Sequence, residues 1–187
     1  MPLTRRRFTA APLLALPALG LAACASSAAA PAPDALDAPN VVPISPRLVT
    51  SGQPTRAALE GLGARGFGGV IYLAPSTVPD AVRDEAAIVE RQGLRYVNIP
   101  IPFNKPGDAD FDAFVAAMDG MKDRQVLVHC QVNMRGSSMV FLYRVIAGHE
   151  PPEAAYEAVT KVWSPDGVWK QFIVAQLHRH GVDFEPY

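Results

Sequence analysis

From Val41 onward, short apolar runs alternate with longer segments whose apolar residues recur every three or four positions. The first pattern reads as buried strand and the second as amphipathic helix. "RLVTSGQP" gives a short strand and a turn. Thr55 can cap a helix over about 56 to 65, with Gly66 as its stop. "GGVIYLA" is a buried strand, residues 80 to 92 a helix ended by Gly93, and "LRYVNIPI" a strand broken by prolines after Ile101. Phe111, Phe114, Val115 and Met118 form the stripe of another helix, and "QVLVH" is an apolar strand. The helix of residues 136 to 147 is apolar on nearly all sides, which places it in the core. A helix starting at "PPEAAYEAVTKVW" has prolines suited to a first turn. A last helix over about 167 to 180 buries Trp169, Phe172, Ile173 and Leu177. Strands alternating with helices predict an α/β fold: a central, mostly parallel sheet of four to five strands flanked by helices.

The first 40 residues break this pattern. "MPLTRRRFTAAPLLALPALGLAAC" has a basic head (Arg5, Arg6, Arg7), an apolar stretch with two prolines, and small residues before Cys24. "TRRRF" resembles a twin-arginine export signal and "LAAC" a bacterial lipoprotein box. Residues 1–23 are therefore expected to be a signal peptide, with Cys24 lipidated and the chain exported to the periplasmic face of a membrane. The apolar stretch falls short of the ~20 residues that a spanning helix needs. Residues 24–40, small and Pro-rich, read as a flexible tether, which leaves 41–187 as the folded domain.

The whole chain has 187 residues, 49% of them hydrophobic, and a formal net charge of −1. That is enough apolar material for one core. With no basic excess, no nucleic-acid partner is indicated. Of the two cysteines, lipidation at Cys24 would leave Cys130 without an intramolecular partner. A lone thiol in an oxidising compartment is a liability unless it is buried or used.

Cys130 stands in "VLVHCQVNMRGSS", where strand gives way to helix, the place where open α/β sheets bind ligands. A loop opening a helix aims free N–H groups and the positive end of the dipole at one point. An anion fits there, and the same field favours a thiolate over a thiol. Arg135 adds a fixed cation whose fork can grip two oxygens. Ser137 could hydrogen-bond the sulfur. Asn133 sits where a tight cradle needs positive φ, which Asn tolerates. The loop thus reads as a nucleophile inside an oxyanion cradle. The alternative is a buried, inert cysteine beside a surface arginine.

"HCQVNMRGSS" resembles the phosphate-binding loop of the cysteine-dependent tyrosine and dual-specificity phosphatases. "SGQPTRAALEGLGARGFGGVIYLA" and "YVNIPIPFNKPGDADFDAFVAAMDGMKDRQVLVHC" resemble, more closely, the phosphatase-like domain of the beta-lactamase-hydrolase-like proteins. The resemblance covers about 43 to 181. It implies a dual-specificity-phosphatase-like fold, Cys130 as nucleophile, and Arg135 as phosphate ligand. His129, Gln131, Val132, Asn133, Met134, Gly136 and Ser137 would complete the loop. His129 would support it by hydrogen bonding. The substrate would be a phosphorylated protein or small molecule, with no cofactor and no metal.

The sequence departs from the phosphatase pattern twice. The loop is C-x4-R, one residue short, a length typical of rhodanese-type sulfurtransferases, whose cysteine carries a persulfide. Where the general-acid aspartate is expected, soon after "IPI", stand Pro102, Phe103 and Asn104. Asp108, Asp110 and Asp112 follow. Acids at a helix start are ordinarily there for the dipole; Asp108, in the loop proper, is the candidate acid. A sulfurtransferase and a catalytically inactive anion-binding module are the competing readings. His178 and His180 lie two apart on a helix and face different ways, so they predict no metal site.

Overall fold

The computed structural model describes residues 36–187. The expected signal peptide, Cys24 and the start of the expected tether lie outside the described residues. Five strands form one sheet in the order β1-β2-β5-β3-β4: β1 (Val42–Ser45), β2 (Leu48–Ser51), β3 (Gly69–Tyr72), β4 (Arg95–Asn98) and β5 (Val126–His129). Only the β1–β2 pair is antiparallel. Period-two alternation splits the central strand: Val126 and Val128 enter one apolar cluster and Leu127 the other. The first cluster lies under α3 (Asp108–Asp119), α4 (Met134–Ile146), α5 (Pro152–Thr160) and α6 (Gly167–Arg179). The second lies under α1 (Arg56–Glu60) and α2 (Glu85–Glu90). Helices on both faces follow from central strands that are apolar on both sides.

Several boundaries differ from the sequence reading. β1 went unforeseen: it is four residues long with Pro43 inside, which an edge strand tolerates. Helix α1 keeps its expected cap, since Thr55 Oγ1 accepts from Ala58 N–H at 3.2 Å. It ends at Glu60, and a 3-10 turn (Gly63–Arg65) precedes Gly66. Helix α2 is six residues long rather than about thirteen: Asp84 takes a left-handed φ of 62° just before it, so the preceding residues run as turn. Packed structure also reaches back to residue 36, into the stretch read as tether. Leu36 is buried in the second cluster, Asp37 O accepts from Thr55 N–H, and Pro39 O accepts from Gly52 N–H.

Candidate active site

Cys130 follows the last residue of β5, and α4 begins four residues later at Met134, two earlier than expected. Asn133 has φ 71°, the left-handed turn anticipated for it. Its Nδ2 donates to Asn40 O at 2.7 Å and to Thr50 Oγ1 at 2.9 Å. Asn40 Nδ2 in turn donates to Val132 O at 2.9 Å. The supposed tether therefore braces the loop from outside. Glycine is required at two close approaches. A Cβ on Gly52 would lie 2.7 Å from Gln131 O, and one on Gly136 2.6 Å from Asn133 Oδ1. This explains "SGQP" physically: the bare backbone at Gly52 lets the end of β2 touch the loop, and Gln53 N–H donates to Gln131 O at 2.9 Å.

Among the described residues, the amides of Gln131, Val132, Met134, Arg135 and Gly136 donate to no protein acceptor; Ser137 N–H donates to Asn133 O at 2.9 Å. These free donors belong to the loop and the first turn of α4, the arrangement that receives anions elsewhere. Cys130 is fully buried. Arg135 is only 4% exposed. Its Nε donates to Ile101 O at 3.0 Å, its Nη1 reaches Gln131 Oε1 at 3.5 Å, and its guanidinium carbon lies 5.0 Å from the centre of the Phe103 ring. Trp169 Nε1 fixes Phe103 by donating to its carbonyl at 2.8 Å. So the segment after β4 places a carbonyl and an aromatic face, rather than an acid, against the arginine. Among the described residues no carboxylate pairs with Arg135. The Tyr72 phenol is held far above its ordinary pKa by burial first, then by the charges of Glu85, Asp80 and Cys130, with Arg135 opposing.

Beneath the loop lies a buried polar chain that the sequence reading missed. His129 Nε2 is 2.7 Å from Glu85 Oε1, and Glu85 Oε2 accepts from Gln53 Nε2 at 2.8 Å. A carboxylate only accepts, which assigns the proton to Nε2; among the described residues Nδ1 has no partner. Tyr72 stacks on the imidazole with centroids 4.8 Å apart. The hydrogen bond expected from His129 to the loop is not what its ring makes here: its Nε2 goes to Glu85. A buried acid at the start of a short helix gave no sequence signal of its own, because the same residue type is ordinary on helix surfaces.

Two expectations are corrected. Ser137 Oγ donates to Met134 O at 3.2 Å, a bond within its own helical turn rather than to the sulfur. Asp108 is tied to α6: Gln176 Nε2 and Arg179 Nη2 each donate to it at 2.6 Å. Those partners lie seven and ten positions beyond Trp169, about 10–15 Å farther along the helix than the contact with Phe103. The hydrogen bond from Arg179, with its charge, holds the Asp108 carboxyl below the usual carboxylate range, so it is a poor proton donor. Asp110 caps α3, its Oδ2 accepting from Gly107 N–H at 2.9 Å. A lowered pKa contributes stability above the unfolded value that is lost as pH falls through the folded one. Asp108→Asn should therefore flatten the decline of stability on the acid side of that range, read from thermal melts as a function of pH.

The chain matches the family described as DSP-PTPase phosphatase fused to NAD+ kinase over residues 39–173. It is 32% identical over 111 residues to the beta-lactamase hydrolase-like protein of Xylella fastidiosa (strain Temecula1), covering 58% of this chain and 26% of that protein. The chain thus spans about a quarter of the length of that relative. A DUF442 protein of Shewanella putrefaciens CN-32 superposes with a TM-score of 0.70 at 31% identity, covering 77% of this chain and 92% of the other. The fold is also that of P. aeruginosa TpbA, solved in complex with pTyr as a cysteine-to-serine form: TM-score 0.57, 19% identity, 84% of this chain and 93% of that one. Sheet, loop and likeness together define a phosphatase-type α/β domain of the tyrosine and dual-specificity class. The chain belongs to the DSP-PTPase family whose members include phosphatase domains fused to NAD+ kinase.

Proposed function

We propose that the domain is a cysteine-dependent phosphatase that hydrolyses a phosphate monoester through a phosphocysteine on Cys130. One observation carries this reading. Among the described residues, Arg135 is buried without a carboxylate partner, in the loop of free amides that Cys130 opens. A desolvated cation is costly unless an anion meets it. A phosphoryl group with two or three charged oxygens is such an anion, and the arginine fork matches it. Cys130 attacks phosphorus, the leaving oxygen departs with a proton, and water then releases phosphate. A phosphorylated protein or small molecule fits equally at this level. TpbA binds pTyr, which makes an aryl phosphate the natural first probe. The amino-terminal pattern further supports export and lipid anchoring through Cys24.

Sulfur transfer is the second reading, favoured by the short loop from Cys130 to Arg135. Rapid acid quench of the full chain, followed by intact mass, separates the two. With p-nitrophenyl phosphate, the expected adduct is one phosphoryl group on Cys130. With thiosulfate, no adduct is expected. A single sulfur atom added by thiosulfate, with none from the ester, would replace the phosphatase by a sulfurtransferase. Phosphate binding with neither adduct would leave an anion-binding module.

A further inference from the structure

Asp108, held at α6, does not supply the proton that the phosphatase reading needs, and the segment after β4 sets Ile101 O and Phe103 against the arginine. Another carboxylate does reach the loop. Gln131, the residue after the nucleophile, donates from Nε2 to Asp80 Oδ1 at 2.8 Å. Its other amide atom, Oε1, faces Arg135 Nη1 at 3.5 Å. One carboxamide therefore bridges the guanidinium and the Asp80 carboxylate. Asp80 is exposed, in the turn between β3 and α2.

We propose that Asp80 is the general acid of this site and that the Gln131 carboxamide occupies the path of the ester between Arg135 and Asp80. The proposal rests on the phosphatase reading above. The planar amide places an acceptor against Arg135 and a second polar atom against Asp80. A phosphate monoester can do the same with a phosphoryl oxygen and its bridging oxygen. The contact to Arg135 is long and the glutamine is half-exposed, so an incoming dianion outcompetes it. An ionised Asp80 takes the amide N–H; a protonated Asp80 reverses the contact and gives its proton to the ester oxygen.

The steps balance. The sulfur lone pair of Cys130 forms the S–P bond as the bond from phosphorus to the bridging oxygen breaks. That oxygen takes the Asp80 proton and leaves as an alcohol or phenol, leaving Asp80 ionised. Water then attacks phosphorus and gives its proton to Asp80. The S–P bond breaks with its electron pair returning to sulfur, and phosphate is released.

A leaving group that needs no proton separates an acid from a structural latch. Full-length wild type, Asp80→Asn and Asp80→Glu are compared on 2,4-dinitrophenyl phosphate and on phenyl phosphate. General-acid catalysis typically contributes 10²–10⁴-fold, so Asp80→Asn should lose about 10²-fold or more in kcat on phenyl phosphate and less than about threefold on the dinitrophenyl ester. Asp80→Glu should recover part of the loss on phenyl phosphate. Equal losses on both esters would make Asp80 only a support for Gln131, and no loss on either would remove it from the chemistry; both overturn the proposal while the phosphatase stands. Failure of wild type to release dinitrophenol above Cys130→Ser would overturn both.

Discussion

Cys130→Ser is expected to abolish hydrolysis of an aryl phosphate by about 10⁴-fold or more in kcat, in line with losses seen when a covalent nucleophile is removed. Serine is nearly the same size, so the loop keeps its shape. Its hydroxyl ionises far less readily than a thiol and is a far weaker nucleophile near neutral pH. The free amides of the loop and the Arg135 guanidinium survive the change, so the variant should still bind phosphate. Binding retained with turnover lost identifies the sulfur as reactant. Loss of both would mean that the loop had collapsed, and turnover retained would sink the covalent mechanism.

Because Cys130 is fully buried, a reagent reaches its sulfur only when the surroundings of the loop open, and Phe103, stacked on Arg135, is a candidate for that movement. Phe103 is 39% exposed and held chiefly by the Trp169 bond and by ring contacts with Trp163 and Trp169. Alkylation of Cys130 by iodoacetamide in the wild type reports that opening. Saturating phosphate should slow the alkylation, since an anion held by Arg135 and the loop amides stands in the way of the reagent.

The parts legible in the sequence were those set by local rules. The cap at Thr55, the central strand "QVLVH", the all-round apolar α4 and the positive φ at Asn133 each follow from a few neighbouring residues. The parts that were not legible depend on distant partners. Glu85 and His129 are 44 positions apart, and Gln131 and Asp80 are 51 apart. Neither acid has a neighbour in sequence that marks it as different from a solvated one. Asp108 misled for the converse reason. It occupied the expected stretch, but its partners Gln176 and Arg179 come from the last helix. Strand β1 was obscured by Pro43 and by its polar edge position. Asn40 looked like linker until the fold set it against Val132 and Asn133.

The largest stability loss should follow Glu85→Ala. Glu85 accepts from two side chains that are themselves buried, so truncation leaves His129 Nε2 and Gln53 Nε2 without a partner in a dry place. Removing one member of a buried polar pair costs about 3–5 kcal/mol, the penalty lying in the groups left behind. For a domain of this size that corresponds to a drop of about 6–20 °C in Tm. Glu85→Gln should cost less, about 1–2 kcal/mol, because an amide can accept from Gln53 and donate to Nε2 once His129 shifts its proton to Nδ1. That shift also gives Nδ1, now without a partner, its hydrogen. The alanine variant should lose activity beyond its loss of folded protein, since His129 closes β5 directly before Cys130 and its ring is set by Glu85 and Tyr72. Urea melts of the two variants, with turnover measured where each is still folded, separate these effects. Equal losses for alanine and glutamine would show that negative charge at position 85 holds the site together, whereas a loss below about 1 kcal/mol for alanine would mean that water satisfies both partners.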